Sequence, residues 1–508
     1  MKKLLALLLV AVMLCSAFVA CDKAPATTDG PADTGAADVT TAPVAEDTPD
    51  IPAVGTDEFA GDFNILVAGN YSRNNYTGND FFYEGDLNEA NSVDLAVYKR
   101  YEKLKEDYGV DTIVDFQVKF GSSNGGGTGF TKIYTEYMSG ESTYDAAMVG
   151  TYDVATLAYS GYIHDLNDMP YMDLTKGYWD QRANEDLTIL GKMFYTSGDI
   201  TVTNHMVTHG ILFNKGMVEE YNLEDPYELV RNDEWTIEKF GQLVKMVGED
   251  VNQDGMYTES DRYGLLTWND PMVAILSSAG EKIAGVNEQG LIELTFYNER
   301  VLDLYDKFEA IVFDQQHAYN YQYDHYSGAA TPSSVWNVNR DAIFTESRAV
   351  FYLNTLATVE RHRDSDVDFG VLPYPKLDAS QENYGHQVSA YHAHFLCVPE
   401  LAPDYERTGA VLEYLAYQGK EILTPAYYEQ TLVGKSVRDE DSVEMLDIIL
   451  ASRVYDLGAY YDIGTYKTQL GRLFVSRQAL SSLYETYRPT AEQKIATINN
   501  VFSQQAQQ

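Results

Sequence analysis

The stretch WTIEKFGQLVKMVGEDVNQDGMYTESDRYGLLTWNDPMVAILSSAG, residues Trp235–Gly280, carries a helix signal, an oxygen-rich loop, a strand signal and a second helix in succession. Thr236 is a good N-cap, and Ile237, Phe240, Leu243, Val244 and Val247 recur at helical spacing, so a helix buries one face and ends near Gly248. Asp250, Asn252 and Asp254 then alternate, Gly255 falls at the sixth position and Asp261 at the twelfth. The carbonyl of Met256 and the hydroxyl of Thr258 take the seventh and ninth places. This is the ligand spacing of a calcium loop, in which clustered hard oxygens are relieved of mutual repulsion by the cation. Asp in place of a bidentate Glu at position twelve leaves a second reading open, an acidic turn without an ion. Tyr263–Thr267 is an apolar run that reads as a buried strand. Trp268, Asn269 and Asp270 stand at its carboxyl end, followed by an apolar helix that runs to Ala279-Gly280. A large ring beside two polar side chains at a strand end suits a sugar or other polar ligand.

A chain of 508 residues exceeds the size at which one core keeps growing, so two lobes are expected. Its net charge of −41 argues against unspecific nucleic-acid binding and against adhesion to anionic lipid through protein charge. Tyrosine is abundant, 40 residues against 4 Trp, and offers flat apolar faces with a hydroxyl. The three cysteines give no disulfide framework: Cys15 and Cys21 lie in the leader and Cys397 stands alone.

Met1–Lys3 followed by an apolar run is a secretory signal. Its end, Phe18-Val19-Ala20-Cys21, resembles the lipobox of bacterial lipoproteins, which implies lipidation of Cys21 and anchoring to the outer face of the cell membrane; ordinary cleavage near Ala20 is the alternative. Residues 22–57, rich in Ala, Thr, Pro, Gly and Asp, cannot bury enough surface to order themselves and read as an acidic tether.

Beyond the tether, Phe63–Ala68 reads as a strand whose exit loop offers Asn70, Tyr71 and Arg73 as ligand contacts, since ligands collect at such ends of α/β sheets. Val93–Tyr108 is an amphipathic helix closed by Gly109, and Val110–Val118 returns as strand. The glycine-rich Gly121–Gly129 lacks a following Gly-Lys-Ser/Thr, so it reads as a connector into the helix Phe130–Met138 and not as a phosphate loop. Then come Ser139-Gly140-Glu141-Ser142-Thr143-Tyr144-Asp145, the strand Ala146–Val149, Tyr152, and Leu157–Leu166. Tyr178-Trp179, Ile211–Lys215, Trp235-Thr236, Trp268–Gly280, Phe344–Leu353 and Val371–Pro375 follow in order. This progression resembles the family 1 extracellular solute-binding proteins of bacterial ABC importers, and covers most of the folded chain.

The resemblance implies an α/β architecture of the periplasmic-binding-protein-like type II kind, with two lobes, a hinge and an interlobe cleft. The first lobe would comprise residues 58–165 and 374–430, the second 166–373, and a C-terminal helical segment, 431–508, would rest on both. Tyr152, Trp268, Asn269, Asp270, Asn354, Thr355 and Tyr391 are the expected ligand contacts. Trp268 either stacks on a pyranose face or plugs the core. Pro373–Lys376 reads as a hinge. Val388–Val398 reads as a strand that sets His392 and His394 on one face; a hydrogen-bonded pair is preferred there to a metal site. Helices are expected over 403–418, 442–454 and 490–502, and Tyr455–Tyr461 as an aromatic turn, whether for packing or for binding. The expected partners are a carbohydrate ligand and ABC permease subunits, with a monomeric receptor, no catalytic cofactor and a structural calcium ion at most. No hydrolase elbow, catalytic cysteine or His-Glu-x-x-His helix is present in the sequence. The competing readings are a surface glycan-binding protein without a transporter and a secreted glycoside hydrolase, which would need two carboxylates across a cleft.

Overall fold

The computed structural model describes residues 48–55, 57–69, 79–118, 126–322, 340–362, 364–432 and 440–507. The leader, Cys21, most of the tether, and Asn70, Tyr71 and Arg73 lie outside the described residues. The elements that position the site are β1 (Gly61–Gly69), α1 (Ser92–Tyr108), β2 (Val110–Val118), α2 (Thr128–Ser139), β3 (Ala146–Gly150) and α3 (Thr151–Ser160). There follow β4 (His209–Asn214), α4 (Ile237–Val244), β5 (Gly248–Glu249), β6 (Arg262–Thr267), α5 (Pro271–Ser278), β7 (Ala318–Asn320), β8 (Ala349–Thr355) and β9 (Phe369–Leu372). The chain then runs through β10 (His386–Gln387), β11 (His394–Cys397), α6 (Tyr405–Gln418), a π-helical turn (Gly419–Leu423) and α7 (Thr424–Leu432). It closes with α8 (Glu440–Ala451), β12 (Arg453–Val454), α9 (Tyr466–Gly471) and α10 (Leu480–Gln505).

Two sheets organise these elements. The first has the order β11-β3-β1-β2, the second β9-β4-β8-β6-β5 with β7 also on β6. In the first, β1 runs parallel to β2 and β3, and both faces of β1 are buried: Phe63, Ile65 and Val67 enter one core, Leu66 and Ala68 another. That continuous apolar run is what a parallel strand covered on both sides requires. In the second, every residue of β8 is buried, paired parallel to β6 and antiparallel to β4.

Local signals explain the helices. Asn91 and Asp94 form a reciprocal capping box at the start of α1, and Gly109 closes the helix in the left-handed conformation at φ 65°. Thr236 caps α4 by accepting from the Lys239 amide (3.3 Å). The amino end of α2 is satisfied from outside the helix: the Asp153 carboxylate accepts from the amides of Gly126 (3.0 Å), Gly127 (2.8 Å) and Phe130 (3.2 Å). The end of the glycine-rich connector thus already encloses an anion, one supplied by the chain itself.

Four expectations are corrected. The tether does not reach residue 57 as free chain, because the Tyr108 hydroxyl donates to the Pro52 carbonyl (2.8 Å) and the Gly55 amide to that of Asp107 (2.7 Å). Val388–Val398 is not one strand: the amides of His392 and Ala393 turn back to the Ser389 carbonyl, so His392 and His394 do not share a strand face. The helix expected over 442–454 spans Glu440–Ala451, and Arg453–Val454 pairs as strand with His386–Gln387. The terminal helix begins at Leu480 and carries Pro489 inside it, where the sequence places the start just beyond that proline. Pro373–Lys376 still runs along the second sheet's elements: Trp235 donates to the Pro373 carbonyl (2.8 Å), and Trp235 and Ile237 exchange backbone bonds with Lys376. Tyr455, Tyr460 and Tyr461 are all buried. Where α6 passes through the π turn into α7, the chain leaves one core, holding Ala410–Leu412 and Tyr414–Ala416, and enters another with Leu423 and Tyr427.

Candidate functional site

Strand direction gathers the polar residues of the second sheet at one edge. Because β6 and β8 are parallel, Trp268–Asp270 and Asn354–Thr355 emerge at the same end. The antiparallel β4 begins there, with His209 opposite Thr355, and β9 ends there, leading to Tyr374. The carboxyl edge of an open α/β sheet is where ligands collect. On the first sheet the corresponding edge is Gly69 of β1, Gly150 of β3 and His394 opposite it on β11. Gly69 is required by close approach, since a Cβ there would lie 1.4 Å from His394 Nε2. The Asn204 side chain clamps the His394 backbone from both sides, donating to its carbonyl (2.8 Å) and accepting from its amide (3.1 Å).

Trp268 is only 9% exposed. Its indole N–H donates to the Leu353 carbonyl (3.1 Å), and its ring lies nearly parallel to those of His209 (6.4 Å, 20°) and Tyr321 (6.3 Å, 16°). Of the two roles read from the sequence, the structure shows the packed one; Trp268 is not an open stacking platform. Asn354 is likewise turned inward, donating to the Tyr352 hydroxyl (2.6 Å) and accepting from the Thr355 amide (2.8 Å), and Thr355 is buried. Tyr391 is half-buried, edge-on to His392 (4.9 Å). Tyr152 is buried in the first turn of α3.

Asp270 is a desolvated carboxyl group at this edge. Burial, with no compensating cation, raises its carboxyl from 3.8 to about 7. Its charge is felt by three phenols, Tyr321, Tyr374 and Tyr391, each raised chiefly by burial. Around it lie polar atoms that the folded chain does not satisfy. The Oδ1 of Asn269, the hydroxyl of Tyr374 and both ring nitrogens of His209 are buried without a hydrogen-bond partner. His209 stands edge-on to Tyr374 (6.3 Å). Its ring is held neutral, lowered to about 3 by burial and by the neighbouring His392. Each such orphan costs about 1–3 kcal/mol, so a cluster of them marks a place that a polar guest or water completes. The sequence reading did not find His209 or Tyr374. Their only signals are positions at the start of β4 and between two prolines.

The loop Asp250–Asp261 keeps its shape through carboxylate–amide bonds. Asp250 accepts from Gly255 (2.8 Å), Asp254 from Met256 (2.8 Å), and Asp261 from Val251 (2.9 Å) and Thr258 (2.7 Å). Gln253 and Gly255 adopt positive φ, 57° and 79°, turning the Asn252 and Asp254 side chains toward each other at 3.0 Å. Asp261 is fully buried, while Met256 is exposed. Among the described residues no three His, Cys, Asp or Glu side chains stand close enough to share a metal ion. Nor is any helix among them long and apolar enough to cross a membrane.

Comparison with curated proteins gives no match. Solved structures share the fold at low identity. The cyclic alpha-maltosyl-1,6-maltose binding protein of Arthrobacter globiformis is 13% identical with a TM-score of 0.54, over 87% of this chain and 100% of that one. The galacto-N-biose-/lacto-N-biose I-binding protein of a Bifidobacterium longum ABC transporter, in complex with lacto-N-biose, is 12% identical (TM-score 0.53; 87% and 98% covered). The maltose/maltodextrin-binding domain MalE of Bdellovibrio bacteriovorus, bound to maltotriose, is 14% identical (TM-score 0.52; 86% and 100%). The sequence pattern of bacterial extracellular solute-binding proteins matches residues 85–394, more than half of the 508, and the chain belongs to that family.

Proposed function

We propose that this protein is the receptor of an ABC importer, held at the membrane by a lipid on Cys21, that captures a sugar or oligosaccharide between its two sheets and presents it to the permeases. The observation that carries the reading is the cluster of unsatisfied buried polar atoms, Asn269 Oδ1, Tyr374 hydroxyl and His209 nitrogens, around the desolvated Asp270. A polyhydroxylated guest offers donors to the carboxylate and both donors and acceptors to the rest, and aromatic rings flank the cluster. The solved relatives that bind maltotriose, cyclic maltosyl-maltose and lacto-N-biose support the ligand class. Calorimetry of the mature protein against neutral and acidic oligosaccharides, peptides and polyols tests it: saturable heat with a glycan and none with peptides is expected, and peptide binding alone overturns it. Release of labelled product during the titration would point instead to a hydrolase. Growth on the ligand of a strain deleted for its ABC permease genes separates importer from surface scaffold.

For the Asp250–Asp261 loop the proposal is a structural calcium ion. The oxygen spacing and the two positive-φ residues support it, with Asp250, Asn252, Asp254, Met256, Thr258 and Asp261 as the donors. Chelator is expected to lower the melting temperature and calcium to restore it; indifference to both leaves the loop as a self-bonded acidic turn.

A further inference from the structure

One cation near the site has no carboxylate paired with it among the described residues. Lys467 on α9 is half-buried, its ammonium donating to the Tyr152 hydroxyl and lying 4.4 Å from the centroid of that ring. Among the described residues, no Asp or Glu forms an ion pair with it. Such isolation is anomalous in a chain with 77 acidic residues against 36 Lys and Arg. A desolvated ammonium is costly unless a negative charge answers it, and a ring face replaces only part of what water gave. Burial alone depresses Lys467 to about 8.

The position of Lys467 joins the two sheets. Tyr152 follows directly from the carboxyl edge of β3 in the first sheet. Four residues on, along the same face of α9, Gly471 lies against Asn269 of the second sheet, 3.8 Å from its Cβ and carbonyl oxygen to the point where a Gly471 Cβ would stand. The helix therefore forms a third wall, reaching from Tyr152 to the orphaned Asn269. The second sheet adds to the positive side: Arg340 and Arg361 share one carboxylate, Asp341, and their charge reaches His392 and Tyr321. Beside Asp270, whose carboxyl burial raises to about 7, the charge that Lys467, Arg340 and Arg361 bring is positive, against the sign of the whole molecule.

We infer that Lys467 is a ligand-contacting residue and that the solute carries a carboxylate, which makes it an acidic sugar such as a uronate-containing oligosaccharide. This rests on the sugar-receptor reading above and narrows its ligand class. Short oligomers of galacturonate, glucuronate and mannuronate, each set against its uncharged methyl ester, isolate the charge while keeping the ring chemistry. At least one free acid is expected to bind roughly ten- to a hundredfold more tightly than its ester, the worth of a hydrogen bond to a charged group. Lys467→Met, which keeps the stem and loses the charge, should erase that ratio without lowering the melting temperature of the free protein, and Lys467→Arg should retain part of it. Equal affinity for acid and ester, a preference surviving in Lys467→Met, or binding confined to neutral sugars overturns the inference and leaves the sugar-receptor reading standing. Binding of no glycan, acidic or neutral, overturns both.

Discussion

Asp270 couples binding to stability through its charge. Its carboxyl is raised in the folded protein, so the folded state favours the protonated form and is penalised above the ordinary value of 3.8. That penalty is relieved as pH falls from about 7 toward 4. Asp270→Asn is expected to stabilise the free protein by a few kcal/mol at most above pH 7, with the gain vanishing near pH 4, while weakening glycan binding. Urea titrations at several pH values and calorimetry check both halves. For His209 the sign is reversed: its ring is held neutral, lowered from 6.5 to about 3, so its stabilising contribution is complete above pH 6.5 and drains away toward pH 3. His209→Gln should accordingly lose less stability than the parent between pH 6.5 and 4, read by thermal melts; parallel curves would count against a neutral buried ring. Asp270 was legible in the sequence because it follows a strand-end Trp. The histidine was not, since a lone His opening an apolar strand carries no periodic signal, and its neighbours come from strands far away in sequence.

Elements were read more reliably where the signal is local. Caps and apolar spacing locate α1, α4, β6 and α5, and the cores they fill follow from the pattern. Misreadings fall where tertiary pairing overrides local preference. The apolar residues of Val388–Val398 suggested one strand, but Ser389 accepts two backbone amides and breaks it. The terminal helix is expected from Thr490, yet it begins at Leu480 and runs through Pro489. No sequence rule would have placed Asp153 at the head of α2, since the glycine-rich stretch read only as a connector. Asp153→Ala strands three amides and is expected to cost roughly 1–3 kcal/mol in chemical denaturation. Asp153→Asn should recover part of that, because its side-chain oxygen still accepts.

At the scale of the molecule, two sheets that each carry polar groups at the carboxyl edge predict that ligand draws them together. X-ray scattering should show a smaller radius of gyration with saturating glycan than without it, and no change would argue for a rigid receptor. The two-sheet plan was legible from length and from the order of family motifs. The role of α9 as a wall was not, because a short helix near the end of the chain announces nothing about which strands it will meet. The passage from α6 to α7 is not a regular helix. Its wide turn, Gly419–Leu423, accommodates one residue more than a regular helix would, and the apolar faces on either side are already aligned with their separate cores. Excising the exposed Glu421 should therefore leave a straight, regular rod with both faces in place and nearly unchanged melting behaviour. Adding a single alanine at the same spot would swing Leu423 and Tyr427 about 100° off their seats. Length variation at this junction is tolerated in one direction only.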